Sequence, residues 1–160
     1  MKALKSLVLL LVLSSVLSSC EKWKDLIHKE KEKEKNVYSR ENLPLSGLQE
    51  VPQRETLAKG TMDVNYDKKT KWLKFTVKWW DLTAIPIGSH IHGTAPKGVN
   101  AGIKYDFTAL LPKVVAGSFT NSVLVDGVAI KEDSLLLGYY YLNIHTPKFP
   151  GGEIRGQIEF

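Results

Sequence analysis

The chain is poor in cysteine. Cys20 is the only one among 160 residues, so no disulfide can form within the chain. The body of the sequence therefore has no cysteine to act as a nucleophile. A long hydrophobic run is also missing. The most apolar stretch, residues 7–17, is about eleven residues long, whereas a bilayer-spanning helix needs about 20. There is no Gly-x-Ser-x-Gly elbow, which argues against a serine hydrolase of that type. Residues 93–102 are rich in glycine, but no Gly-Lys-Ser/Thr follows them, so they are not a phosphate loop. Carboxylates are scattered, and no catalytic pair can be picked out.

Strong charge of one sign is lacking too. The formal net charge is +5, and it falls to +3 without Lys2 and Lys5. Residues 21–35 hold six lysines against five acidic groups, which leaves +2 on residues 36–160. A domain so weakly basic is not expected to bind nucleic acid.

What is present at the N-terminus reads as an address. Lys2 and Lys5 precede the short apolar run, which ends in Leu17-Ser18-Ser19-Cys20. This pattern resembles a bacterial lipoprotein signal, in which Cys20 is lipidated and becomes the new N-terminus. The expectation is a signal over residues 1–19, a lipidated Cys20 with a charged tether over 20–42, and a folded domain over 43–160. The protein is then exported and lipid-anchored to the bacterial cell envelope, at the outer or the cytoplasmic membrane. The tether, EKWKDLIHKEKEKEK, has too few apolar residues to fold alone, and His28 within it reads as solvated.

Beyond the tether the texture is short alternating runs between turn residues. Strands are expected over 45–51, 60–66, 72–82, 87–93, 103–107, 118–125, 139–145 and 153–160, with one helical turn over 131–137 and a loop over 147–152. Leu73, Phe75, Val77 and Trp79 share one strand face, opposite Trp72, Lys74, Thr76, Lys78 and Trp80. The fold class is all-β: an immunoglobulin-like or Greek-key sandwich or barrel of about 7–8 strands. Trp72 and Trp80, beside lysines, fit either a ligand surface for sugar or aromatic rings or the cover of a sheet edge.

Three of the four histidines fall in two short pieces, Ser89-His90-Ile91-His92-Gly93 and Asn143-Ile144-His145-Thr146. Strand alternation puts His90 and His92 on one face, and His145 with Asn143 and Tyr141 on one face of a later strand. If the apolar sets point inward, the three histidines and Arg155 point outward from the core, with Arg155 and Glu153 at the rim of a cluster and Glu153 a candidate for a ligand surface, as Trp72 and Trp80 are. Three imidazoles at one place suit copper or zinc. The other reading is histidines that hydrogen-bond loops at the end of a sandwich.

Several motifs carry a family resemblance. Leu45-Ser46-Gly47-Leu48-Gln49-Glu50-Val51-Pro52, Gly60, His90-Ile91-His92-Gly93, Tyr141-Leu142-Asn143-Ile144-His145-Thr146 and Pro150-Gly151-Gly152-Glu153-Ile154-Arg155-Gly156-Gln157-Ile158 occur in that order. Together they resemble the chordin-type (CHRD) domain, found in chordins, which antagonise bone morphogenetic proteins, and in bacterial exported proteins. The resemblance implies a sandwich similar to that of copper–zinc superoxide dismutase. On that likeness His90, His92 and His145 would be copper ligands and Arg155 an anion guide. The bridging histidine, the zinc loop and the disulfide of that enzyme have no counterpart here. Two functions follow as expectations. One is an envelope-anchored binding or structural module for an unidentified protein or small-molecule ligand. The other is a metal-binding or dismutase-like protein built on the three histidines.

Overall fold

The computed structural model describes residues 35–160. The signal, Cys20, His28 and most of the tether lie outside the described residues. Eight strands follow in order: β1 Val37–Ser46, β2 Lys59–Asp67, β3 Trp72–Trp80, β4 Gly88–Gly93, β5 Ile103–Asp106, β6 Gly117–Leu124, β7 Tyr140–Thr146 and β8 Phe149–Ile158. One short helix, α1 Glu132–Leu136, precedes β7. The all-β expectation holds: the strands form a single curled antiparallel sheet in the order β5-β4-β7-β8-β1-β2-β3-β6.

The sheet is two halves joined by a thin seam. β1 and β8 pair only at Ser46 and Arg155. On one side of the seam lie β1, β2, β3 and β6; on the other lie β8, β7, β4 and β5. The chain crosses between halves from β3 to β4, from β5 to β6 and from β6 to β7, as a sandwich requires. The far edges also approach each other. Tyr105 at the end of β5 donates its hydroxyl to Leu124 O on β6 at 3.3 Å, and Phe107 packs edge-on to Phe75 with ring centres 5.3 Å apart.

The apolar core lies inside the curl. β3 shows why: Leu73, Phe75, Val77 and Trp79 are buried, while Trp72, Lys74, Lys78 and Trp80 are exposed. β2 supplies Met62, Val64 and Tyr66 to the same core. Each such side chain contributes about 1.5–3 kcal/mol by leaving water.

The structure corrects the expected boundaries at two places. The first strand is not 45–51: β1 begins at Val37, inside the segment read as tether, and ends at Ser46, where a 3-10 turn over Gly47–Gln49 takes over. Its N-terminal half is polar and exposed, and it is a strand because its backbone pairs with β2 from Val37↔Asp67 onward. No apolar alternation marks it. Residues 147–152 are not a loop either. Thr146 pairs with Phe149, so only Pro147 and Lys148 turn the β7–β8 hairpin.

The polar faces of β4, β7 and β8 do look away from the apolar core, whose share is Ile91, Leu142, Ile144 and Ile154, but they are covered. Arg155 is 1% exposed, Glu153 0%, His145 8% and His92 9%, so none of them points to open solvent. The second face of β4, β7 and β8 is roofed by residues 47–57 and 94–102. Asn100 ties the two roof segments together through its amide to Val51 O at 2.8 Å. Glu153, expected at a ligand surface, is a structural carboxylate. It accepts from Thr56 Oγ1 at 2.7 Å, Thr146 Oγ1 at 2.7 Å, Thr83 Oγ1 at 2.9 Å and Thr83 N at 3.1 Å. Trp72 and Trp80 do lie on the exposed face of β3. They stand at its two ends, roughly 27 Å apart at the rise of an extended strand, so they do not line one cleft.

Candidate metal centre

β4 and β7 are neighbours, and their register builds the site. Gly88 faces His145, His90 faces Asn143 and His92 faces Tyr141. The next strand puts Arg155 opposite Asn143 and Gln157 opposite Tyr141. Gly88 matters because a Cβ there would come within 3.3 Å of the His90 ring. The three histidines from the two distant pieces therefore meet. One ring nitrogen from each of His90, His92 and His145 lies within 4.8 Å of the other two.

The nitrogens that face outward are committed. His145 Nδ1 lies 2.9 Å from Pro150 O, and His92 Nδ1 lies 2.9 Å from Ala101 O. A carbonyl only accepts, so in the tautomer that serves these carbonyls each Nδ1 carries the proton and each Nε2 keeps a lone pair. Those two lone pairs point inward. His90 Nδ1 sits 2.9 Å from His145 Nε2, and His90 Nε2 faces Asp106 Oδ1 at 3.5 Å. His90 can thus present Nδ1 inward by placing its proton on Nε2, toward the Asp106 carboxylate. Histidines whose far nitrogen donates to a carbonyl or carboxylate are held in the tautomer that binds a metal.

Burial keeps the rings neutral. It lowers the pKa of His145 to about 4 and lowers those of His90 and His92, in each case chiefly because the charged form is desolvated. Neutral imidazole is the form that ligates. The cluster is buried at His92 and His145 and reaches solvent at His90, beside the exposed Asp106.

Arg155 takes a different place from the one expected. It stacks on the Tyr141 ring with 3.4 Å between guanidinium carbon and ring centre, and it donates to Val99 O at 3.1 Å. Longer bonds run to Asn100 Oδ1 and Gln157 Oε1, both at 3.4 Å. Its partners hold down the roof over the histidine face.

Two further residues of the site carried no sequence signal as such. Asn143 Oδ1 is 2.8 Å from His145 Nε2 and 3.1 Å from His92 Nε2. Glu50, in the roof, is 3% exposed, and its Oε1 and Asn143 Nδ2 crowd the same point beside Gly152. Burial pushes its pKa up from 4.5 to about 7, against the pull of Arg155 and Arg54. Alternation does place Asn143 on the His145 face. Glu50 stands in the Leu45–Pro52 motif, but nothing there marks its place beside Asn143, 93 positions away in sequence.

A cavity of about 430 Å³ opens beside this group, lined in part by Glu50, Arg155, Gln157 and Lys97.

Over residues 42–158 the chain matches the family model of the CHRD domain. No curated protein and no solved structure matches the chain.

Proposed function

Because the chain belongs to the CHRD domain family, we propose that it is a cell-envelope binding module, lipid-anchored through Cys20, whose ligand at His90, His92 and His145 is a single copper or zinc ion. The observation that carries the metal reading is the convergence of three ring nitrogens within 4.8 Å, two of them with the opposite nitrogen tied to a carbonyl. Donor chemistry fits the same ions. Imidazole suits copper and zinc, and no thiolate is present to favour Cu⁺; copper(II) is the tighter binder of the two divalent ions by the usual ordering. The bound ion would supply Lewis acidity or redox chemistry at the His90 side, where the cluster meets solvent. His92 and His145 would fix its position.

A dismutase-like role for Arg155 finds no support in its location. An anion guide has to face the approaching anion, and this guanidinium is 1% exposed beneath the roof.

Metal content of the purified protein tests the reading. One copper or zinc per chain is expected in wild type, and none in His90→Ala. Protein that remains metal-free after incubation with micromolar Cu²⁺ and Zn²⁺ removes the metal reading and leaves a module of other specificity. Anchoring is tested separately. Cys20→Ser should leave the membrane fraction, since the acyl chains supply the apolar burial that holds it there; retention in the membrane removes the lipoprotein reading.

A further inference from the structure

The hydrogen bonds around the histidines are short of protons. Neutral His92 has one N–H and faces two acceptors, Ala101 O at 2.9 Å and Asn143 Oδ1 at 3.1 Å. Neutral His145 is in the same position, between Pro150 O at 2.9 Å and Asn143 Oδ1 at 2.8 Å. With each proton on Nδ1, two ring lone pairs are pressed against the lone pairs of one amide oxygen. His90 Nδ1–H can serve His145 Nε2 at 2.9 Å, yet His92 Nε2 and Asn143 Oδ1 still face one another, and buried acceptors facing one another without a donor are costly.

An asparagine can ordinarily cure this by turning its amide over, so that the NH₂ group donates to both rings. Here that turn is opposed. Asn143 Nδ2 lies on the Glu50 side, at Gly152, and the flipped amide would aim its oxygen toward Glu50 Oε1. The same corner is closed from the other side by β8. Gly152 has a φ of 117°, and a Cβ there would run into Glu50 Oε1 and lie 2.9 Å from Asn143 Nδ2. Backbone in this region favours glycine, and the close approach leaves no room for a side chain. Oε1 of Glu50 is the one buried side-chain polar atom without a hydrogen-bond partner among the described residues.

A cation at the focus resolves the shortage, because it turns each opposed lone pair into a ligand. We infer that Asn143 Oδ1 is a fourth donor to the metal, completing a three-nitrogen, one-oxygen set with His90, His92 and His145, and that Glu50 is the positioning residue that holds Oδ1 toward the ion. This rests on the metal reading above and adds to it a ligand and a selectivity. A hard amide oxygen favours the divalent ions Cu²⁺ and Zn²⁺ over Cu⁺.

The test compares full-length wild type with Asn143→Ala and with the exchange Glu50→Gln/Asn143→Asp. The exchange keeps an oxygen at the focus and swaps the amide and the carboxyl, so that the introduced glutamine amide can donate to the introduced aspartate carboxylate. Each protein is titrated with Cu²⁺ against a competing chelator, and the paramagnetic resonance spectrum of the Cu²⁺ form is recorded. Asn143→Ala should still bind one ion but about 10–100-fold more weakly, with altered copper g and hyperfine values. The exchange variant should bind at least as tightly as wild type. The inference is overturned if wild type binds one ion while Asn143→Ala keeps its affinity within about twofold and its spectrum. Should Asn143→Ala fail to fold, an exchange variant that binds tenfold or more weakly than wild type overturns it instead. Loss of binding in wild type itself removes the metal reading and this one together.

Discussion

The two halves of the sheet follow different rules. In β2 and β3 burial alternates residue by residue, with apolar side chains in and polar ones out. In β7 every residue is buried, and in β8 every residue from Gly152 to Ile158. Yet the two halves have similar strands in sequence, each alternating apolar with polar. The difference lies in what covers the second face. The outer face of β2 and β3 carries exposed lysines and the Thr76–Thr120 hydroxyl pair at 2.8 Å. The outer face of β7 and β8 lies under residues 47–57 and 94–102, and its polar groups form a second, hydrogen-bonded core. A solvated face tolerates change, while a roofed polar face holds its side chains to one geometry. That is where a preorganised site can be built.

The comparison can be broken most directly at Arg155. Arg155→Ala removes a buried guanidinium from Val99, Asn100, Tyr141 and Glu50 and should cost about 3–5 kcal/mol of unfolding free energy in denaturant. A loss below about 1 kcal/mol would mean that the roof does not depend on it. Next comes Glu153→Ala, which takes the acceptor from the buried Thr146 hydroxyl, the half-buried Thr56 hydroxyl and the Thr83 N–H and hydroxyl. About 2–3 kcal/mol is expected, by the same measurement.

The third prediction uses pH. The Glu50 pKa is raised from 4.5 to about 7 in the folded protein. A raised folded pKa contributes stability that is full below 4.5 and is lost as pH rises through about 7. His145 has the opposite sign. Its folded pKa is lowered from 6.5 to about 4, so its contribution is full above 6.5 and lost as pH falls through about 4. The metal-free protein should therefore be most stable at mildly acidic pH, and Glu50→Gln should flatten the alkaline limb of the unfolding profile. An alkaline limb unchanged in that variant would contradict the assignment.

The smallest effect is expected on the open half. Thr76→Ala should change stability by no more than about 0.5 kcal/mol, although Thr76 lies on a strand as regular as β7. A cost comparable to that of Glu153→Ala would erase the distinction between the halves.

Much of this was legible from residue order. The period-two pattern located most of the strands and the inward set of β3, because in that half one face meets water and the pattern records it. The pairing of His90 with His92 on one face was legible for the same reason. The placement of the histidines and Arg155 on the face away from the core was legible too, but its burial was not, because the roof arises from contacts remote in sequence. Ala101 O reaches His92, Val99 O reaches Arg155, and Glu50 reaches Asn143, and alternation within a strand carries no trace of these. Convergence of His145 with His90 depended on β4 and β7 being neighbours with Gly88 opposite His145, a matter of register. The polar half of β1 was missed because its strand character resides in backbone pairing with β2.

The central claim is that the roofed half holds one metal ion on three histidines. Equilibrium titration of the purified protein with Cu²⁺ and Zn²⁺ tests it most directly. The account predicts saturation at one ion per chain with at least micromolar affinity, and loss of that step in His92→Ala and in His145→Ala. A wild-type protein with no saturable binding at micromolar metal, or one whose binding survives both substitutions, would contradict it.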